Sequence, residues 1–354
     1  MRKESKAFLE GMVAVPSPSG YEGPAREVYK AEMQKYADKV ETDLHGNAIA
    51  VLNAKGNPRI MLAGHMDELG FQVAHITDSG YIHFHTIGGF DPGIIPGRKV
   101  RIHTKKGEVL GITGKRAIHL MSGSDLDKVA KIHELWIDIG AKDGKEARKL
   151  IDIGDPITYD PNFEMLRGDL AVARGFDDRM GSFVAAETLR LVKQSRKKAK
   201  AGLYAVATVQ EEIGLRGART SAYGVDPTVG IAIDVTHSSD YPDVDKRKVG
   251  DLQLGKGPVI ARGANVSPVV FDMLVKVAEK NDIPYQIEAE AGGTGTDANA
   301  IQLSRAGVAT GLVSVALRYM HTPVEILSLK DLENTSKLLA AFVLSVDEKT
   351  SFIP

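Results

Sequence analysis

Four near-continuous apolar runs, each leading to an acid or a histidine, constrain this chain more than any other feature of its sequence. They are RIMLAGHMD (59–67), LYAVATVQ (203–210), VGIAIDV (229–235) and ATGLVSV (309–315). Short apolar runs without polar alternation fit strands buried on both faces, as in the parallel sheets of α/β proteins. Helical patterns surround them, at 178–194, 268–281, 297–305 and from Leu329 to about Asp347. Such alternation predicts an α/β fold with helices covering the sheet.

The N-terminal part reads as the start of the same unit. Residues 2–13 and 24–38 have helical patterns, separated by the turn cluster PSPSG (16–20), and 40–52 reads as strand, bend, strand. The style changes after Leu69. From Phe71 to about Met165 come short alternating stretches (FQVAHI, YIHFHTI, KVRIHT, EVLGITG) rich in Gly and Pro, with one expected helix near 124–133. The α/β style resumes at DLAVAR (169–174). The expected organisation is a discontinuous α/β domain, 1–68 plus 166–354, with a small β-rich, barrel-like domain inserted at 69–165. The insertion starts directly after the first histidine motif. Open α/β sheets bind ligands at the carboxyl ends of their strands, so an insert there can roof a site or mediate assembly.

A length of 354 residues fits two domains. Lys+Arg is 45 against Asp+Glu 46, a balance that gives no electrostatic footprint for nucleic acid or a membrane surface. The basic run RKKAK (196–200) reads as a solvated helix end or loop. Cysteine is absent. Disulfides and thiolate metal sites are therefore excluded, and any metal must rest on His, Asp and Glu. The N-terminus mixes charged and apolar residues and lacks the apolar stretch of a signal peptide. No segment approaches the ~18 apolar residues of a membrane helix. A soluble, cytoplasmic protein is expected.

The acids and histidines carry the chemistry. His65 and Asp67 stand two apart at a strand end, so strand geometry puts both on one side. His65 can bind a metal, and Asp67 can accept the other imidazole N–H; alone, the pair also reads as a polar strand end facing solvent. Asp177 and Asp178 open a helix, where one acid suits capping. Two exceed what a cap needs. Asp177 is assigned as a carboxylate bridging two cations, Asp178 as cap or support, with Arg179 available to orient either. Glu211 and Glu212 follow an apolar strand, and a bend at Gly214 would let both reach one site. Otherwise they are an acidic pair before a turn. Asp234 closes its apolar run, as a functional acid or a turn former, and His321 sits in a turn after the last run. His75, His83, His85 and His103 alternate in the β-rich insert and need no special role.

Taken together, these positions fit two metal ions. His65, Asp177 and Asp234 would hold one, and Asp177, Glu212 and His321 the other, each ion keeping an open position. The N/O donor set suits zinc, cobalt or manganese. Glu211 is then left as general base and acid, which points to hydrolysis. The loop AGGTGTD (291–297) lacks the lysine and spacing of a phosphate-binding P-loop. It is expected as a tight loop capped by Asp297, with Gly293, Thr294 and Gly295 close to a substrate pocket. Glu288 and Glu290 lie just before it and would favour basic substrates if they faced the pocket.

The ordered set GHMDELGF, GFDDRMG, QEEIGLRGA, AIDVTH, GGTGTDA and MHTPVE closely resembles the di-metal aminopeptidases that form tetrahedral particles, the TET family. This group includes deblocking and glutamyl aminopeptidases and some proteins labelled endoglucanases. The resemblance spans essentially the whole chain, including PSPSGYEG and the insert. It implies the same assignment: His65, Asp177, Glu212, Asp234 and His321 as ligands of two divalent ions, zinc or cobalt, Glu211 as base, and Asp67 as orienter. It also implies a phosphorylase/hydrolase-like three-layer α/β/α catalytic domain, short peptides as substrates, a dimerising insert, and a homo-oligomer, a tetrahedral dodecamer. The family often has Asn after the bridging acid, where this chain has Asp178. Two other readings stand beside it: another hydrolase on this scaffold, such as an amidase or a metal-free glycosidase, and a non-catalytic assembly holding its metals structurally.

Overall fold

The computed structural model describes residues 1–123 and 128–354. Helices α1 (Lys3–Ala14) and α2 (Gly23–Met33) precede strands β1 (Lys39–Thr42), β2 (Ala48–Leu52) and β3 (Arg59–His65). Next come β4 (Gly70–Ile76), β5 (Ile82–Ile87), β6 (Lys99–Thr104), β7 (Gly107–Gly114), β8 (Trp136–Asp138), helix α3 (Gly144–Leu150) and β9 (Pro156–Tyr159). Strands β10 (Glu164–Met165) and β11 (Leu170–Ala173) lead into the long helix α4 (Phe176–Gln194). The remainder runs β12 (Gly202–Thr208), α5 (Arg216–Val225), β13 (Val229–His237), α6 (Lys246–Val249), β14 (Val259–Gly263), α7 (Pro268–Lys280) and β15 (Gln286–Glu290). It closes with α8 (Asp297–Ile301), β16 (Ala309–Leu317), β17 (Glu325–Ser328) and α9 (Leu329–Ser345).

Eight strands form one sheet in the order β1-β2-β12-β3-β13-β16-β14-β15. Its centre, β12-β3-β13-β16, is parallel and coincides with the four apolar runs. Ile60, Met61, Leu62 and Ala63 of β3 are fully buried, as expected for a strand covered on both faces. Gly230 on β13 faces Ile301 of α8, whereas the next residue, Ile231, lies with Gly311 against Val270 of α7. Because side chains alternate across a strand, α7 and α8 cover opposite faces, and the unit has three layers. Helix starts follow from local chemistry. Ser267 caps α7 ahead of Pro268, and Ser328 caps α9.

Strands β4-β5-β8-β7-β6-β9 close into a barrel with its own core, including Phe71, Phe84, Val100, Ile102, Ile137 and Ile157. Phe71 stacks on Phe90 at 4.6 Å between ring centroids. The chain leaves the main sheet after Asp67, enters the barrel at Gly70, and returns through β10 and β11. There β11 pairs with β17, just beyond His321. Among the described residues the expected helix near 124–133 is absent: its first four residues lie outside the described ones, 128–131 are non-helical, and Ile132–Glu134 make a single 3₁₀ turn. Helix α2 also ends at Met33 rather than 38, and α8 at Ile301 rather than 305. No described helix is long and apolar enough to cross a membrane.

Candidate active site and metal centre

The four parallel strands end on the same edge of the sheet, and their ends supply the reactive side chains. His65 is the last residue of β3 and is in register with Thr208, the last of β12. Glu211 and Glu212 follow β12 after Gln210, a non-glycine residue at φ +55°. Asp234 lies within β13, opposite Ser314 of β16, rather than closing the strand, which runs on to His237. His321 sits in the turn between β16 and β17 at φ +61°. Asp177 comes from the start of α4, where Asp177 and Asp178 depart from helical geometry (φ/ψ −75°/107° and −123°/36°).

These elements bring the sequence candidates together. His65 Nε2 lies 3.2 Å from Asp177 Oδ1 and 3.7 Å from Glu211 Oε2. His321 Nε2 lies 3.3 Å from Asp177 Oδ2 and 3.6 Å from Glu212 Oε2. Asp177 thus offers one oxygen to each histidine. One donor atom from each of His65, Asp177 and Glu212 falls within a 4.8 Å group, and so does one from each of His65, Asp178 and Asp234. Both oxygens of Asp178 are already occupied, Oδ1 accepting from Gly181 N at 3.1 Å and Oδ2 from His65 N at 3.0 Å. Asp178 therefore caps the helix and buttresses the strand end.

The supporting contacts differ from the sequence reading in three places. The imidazole of His65 meets the main-chain carbonyl of Asp67 (Nδ1 to O, 3.1 Å), with the Asp67 carboxylate 3.5 Å away. That carboxylate also accepts from Glu211 N at 3.0 Å and Glu212 N at 3.2 Å. Arg179 orients neither aspartate. It is fully buried, donates to the carbonyls of Met12 and Val15 at 2.8 and 2.6 Å, and pairs, like Arg174, with Glu68. Asp297 does not cap α8; Thr296 does, and Asp297 accepts from Thr208 Oγ1 at 2.5 Å.

Glu325 closes the MHTPVE motif and opens β17. Its two oxygens accept from Asp177 N and His321 N, both at 3.0 Å, and so tie the bridging acid to the histidine turn. Its only sequence signal was an acid four residues after His321. The pairing of Glu68 with Arg174 and Arg179 carried none, since both partners are distant in sequence.

Electrostatics shows what the cluster needs. Burial, reinforced by mutual repulsion, pushes the Glu211 carboxyl up to about 9 and that of Asp234 up to about 8, and raises Glu212 and Asp178 as well. Burial also works against protonation of His65, but the surrounding carboxylates, Glu211 and Asp177 first, outweigh it and raise its pKa. Glu212 Oε1 is buried with no hydrogen-bond partner among the described residues. Crowded acids, histidines that attract positive charge and an orphaned carboxylate oxygen fit divalent cations, which would supply that charge.

The site opens into a cleft of about 540 Å³, lined among others by His65, Asp177, Glu211, Glu212, Asp234 and His321. Glu288, Glu290 and Gly295 also line it. Gly293 and Thr294 do not. Thr294 is buried, its N and Oγ1 donating to Asn265 Oδ1 at 3.1 and 2.7 Å, and Gly293 lies against Asn299. The barrel reaches the site too, because a β-carbon on Gly89 would stand 3.8 Å from His321 Nδ1.

A mixed α/β scaffold with a small barrel and this cluster at the strand ends defines a hydrolase-type centre, and comparison with known proteins gives the class. The chain belongs to the M42 glutamyl aminopeptidase family, whose model matches residues 46–338. It is 38% identical over 341 residues to the lysyl aminopeptidase of Pyrococcus furiosus, covering 95% of this chain and 96% of that one. Among solved structures it is similar to a TET aminopeptidase from a marine-sediment Thaumarchaeota archaeon. That match has a TM-score of 0.93 and 33% identity, covering 98% of this chain and 97% of the other. It is also similar to the Pyrococcus horikoshii TET1 peptidase, described as assembling into a tetrahedron or a large octahedral shell. Here the TM-score is 0.85 and the identity 34%, with 97% and 100% of the two chains covered.

Proposed function

We propose that this chain releases N-terminal amino acids from short peptides with two divalent ions, zinc or cobalt, as cofactors. The observation that carries the reading is the position of Asp177 between His65 and His321, with Glu211, Glu212 and Asp234 around it in one open cleft. His65, Asp177 and Asp234 would hold one ion, and Asp177, Glu212 and His321 the other. Bound there, the ions would polarise the scissile carbonyl and lower the pKa of a shared water to about 7.

Glu211 does the proton work. It takes a proton from water as the new C–O bond forms and delivers it to the leaving amine as the C–N bond breaks, so the carboxylate is regenerated. Asp67 holds the backbone on which Glu211 and Glu212 sit. Glu288 and Glu290 on β15 face the cleft and are only partly exposed, which favours a basic N-terminal side chain. The name of the Pyrococcus furiosus relative agrees with that lean.

Assembly follows a separate observation. Strand β7 and the connection from β7 to β8 expose Leu110, Ile112, Ile118, Leu120 and Val129, apolar surface suited to burial against another copy. We assign the inserted domain, 69–165, to dimerisation and the particle to the tetrahedral dodecamer class, in keeping with the TET neighbours.

The test is hydrolysis of aminoacyl-p-nitroanilides after chelation, with and without added zinc or cobalt. Metal-restored release from free-amino but not N-acetylated substrates, with Lys or Arg preferred, is expected. Full activity in the chelated protein would reject the metal reading, and equal cleavage of acetylated substrates would reject an aminopeptidase.

A further inference from the structure

The turn PSPSG and the residues just after it lie far from the cleft in sequence and contribute no group that lines it, yet their hydrogen bonds converge on the catalytic loop. Ser19 Oγ donates to Asp67 Oδ2 at 2.6 Å, and both residues are buried. That oxygen also accepts from Glu212 N, while Oδ1 accepts from Glu211 N. Glu22 Oε1 accepts from Gly20 N at 2.7 Å and from Gln210 N at 3.2 Å. Ser17 is fastened to the same region: its Oγ donates to Met66 O at 2.6 Å, and its N donates to Glu68 Oε1 at 3.0 Å. The turn therefore spans the ends of β3 and β12.

The terminal torsion of an aspartate is broad and roughly two-fold, so its carboxylate plane is set by its partners rather than by its own rotamer. Three donors fix the plane of Asp67, and Ser19 is the only one of them that is not itself part of the Glu211–Glu212 segment. Gln210 sits at φ +55°, a region uncommon for a residue with a β-carbon, and Glu22 holds its N–H there.

We propose that the 17–22 turn is a positioning clamp in which Ser19, acting through Asp67, and Glu22, acting through Gln210, set the pose of Glu211 and Glu212. This rests on the base and ligand roles given above for those two residues. Neither Ser19 nor Glu22 touches substrate; both are positioning residues. Removing such outer partners of a metal site costs about 10–100-fold in affinity or activity.

The primary readout needs no substrate. Zinc affinity of the chelated full-length protein is measured by competition with a chromophoric chelator, for wild type and Ser19→Ala. Ser19→Ala should bind zinc at least tenfold more weakly. In turnover assays its kcat should fall while KM stays within about twofold, because the cleft wall is untouched. Circular dichroism and thermal unfolding check that it folds. Glu22→Ala and Glu22→Gln form a second pair, and Glu22→Ala should lose more, since glutamine keeps an acceptor oxygen for Gln210 N. Wild-type zinc affinity and kcat in folded Ser19→Ala overturn the clamp, as does equal behaviour of the two Glu22 variants should Ser19→Ala not fold. A wild-type protein that binds zinc but hydrolyses nothing rejects the proposed reaction alone, and the chelator competition still decides the clamp. A wild type that binds no divalent ion rejects both.

Discussion

The backbone of Gly64 on β3 lies so close to that of Gly181 on α4 that Gly64 has no room for a β-carbon, while one on Gly181 would run into the Asp178 carboxylate and the carbonyl of Ile233. Ser182 Oγ, beside them, donates to Gly64 O at 2.8 Å. This contact sets the distance between His65, one residue on, and Asp177, four residues back. Gly64→Ala would drive a methyl into backbone that cannot rotate away. Overpacking costs roughly 1–3 kcal/mol, and the upper end or beyond is expected here. Thermal unfolding should show a lower Tm, with zinc affinity weakened as α4 is pushed from the strand. An unchanged Tm would mean that the helix shifts freely.

Glu211→Gln keeps the shape of the side chain and removes its ability to accept a proton. kcat should drop by about 10²–10⁴-fold, the usual weight of general acid–base catalysis. Two ions per chain should remain by elemental analysis. Turnover close to wild type would remove Glu211 from the mechanism.

His65→Ala and His321→Ala each delete a nitrogen beside Asp177. Each should lower metal content below two per chain and reduce activity together with it. Chelating the wild type should also lower Tm, because ions that bind only the folded state stabilise it by mass action. Two tightly held ions in either variant would show that the ligand set is different.

Glu68 is a buried carboxylate between two buried guanidinium groups, those of Arg174 and Arg179. Burial alone would raise its pKa, but the two arginines outweigh it and hold the carboxyl below its ordinary value of 4.5. Glu68→Ala strands both cations in the interior and should cost roughly 3–5 kcal/mol. Because the folded pKa is depressed, the stabilisation from Glu68 is complete above about pH 4.5 and is lost as the pH falls through the folded value. Denaturant midpoints measured from pH 7 to pH 3 should therefore fall less steeply for the variant than for wild type.

Much of the candidate site was legible because most of its residues sit at or just beyond the ends of strands marked by apolar runs. RIMLAGH, LYAVAT and VGIAIDV became β3, β12 and β13, and parallel pairing brings their ends to one edge. The supports were harder to read. Asp67, expected beside an imidazole, stands 3.5 Å from that of His65 and also accepts from Ser19 and two backbone amides, and Arg179 was expected at its neighbouring aspartates and belongs to Glu68. Thr294 was expected at the substrate and is turned inward to Asn265. In each case the partner lies far along the chain, so no local pattern records it.

What the sequence by itself determined was the menu. Hydrophobic periodicity sets strand against helix, and the absence of cysteine leaves His, Asp and Glu as donors. Chain order places the barrel strands between the two parts of the main sheet. The tertiary structure decided how these are used. Only packing puts Gly64 against Gly181, closes β4 to β9 into a barrel beside His321, and lays the Ser19 turn across Asp67. Those contacts depend on the relative placement of elements that are close in space and distant in sequence, where hydrogen-bond geometry and excluded volume, rather than residue pattern, select the partner.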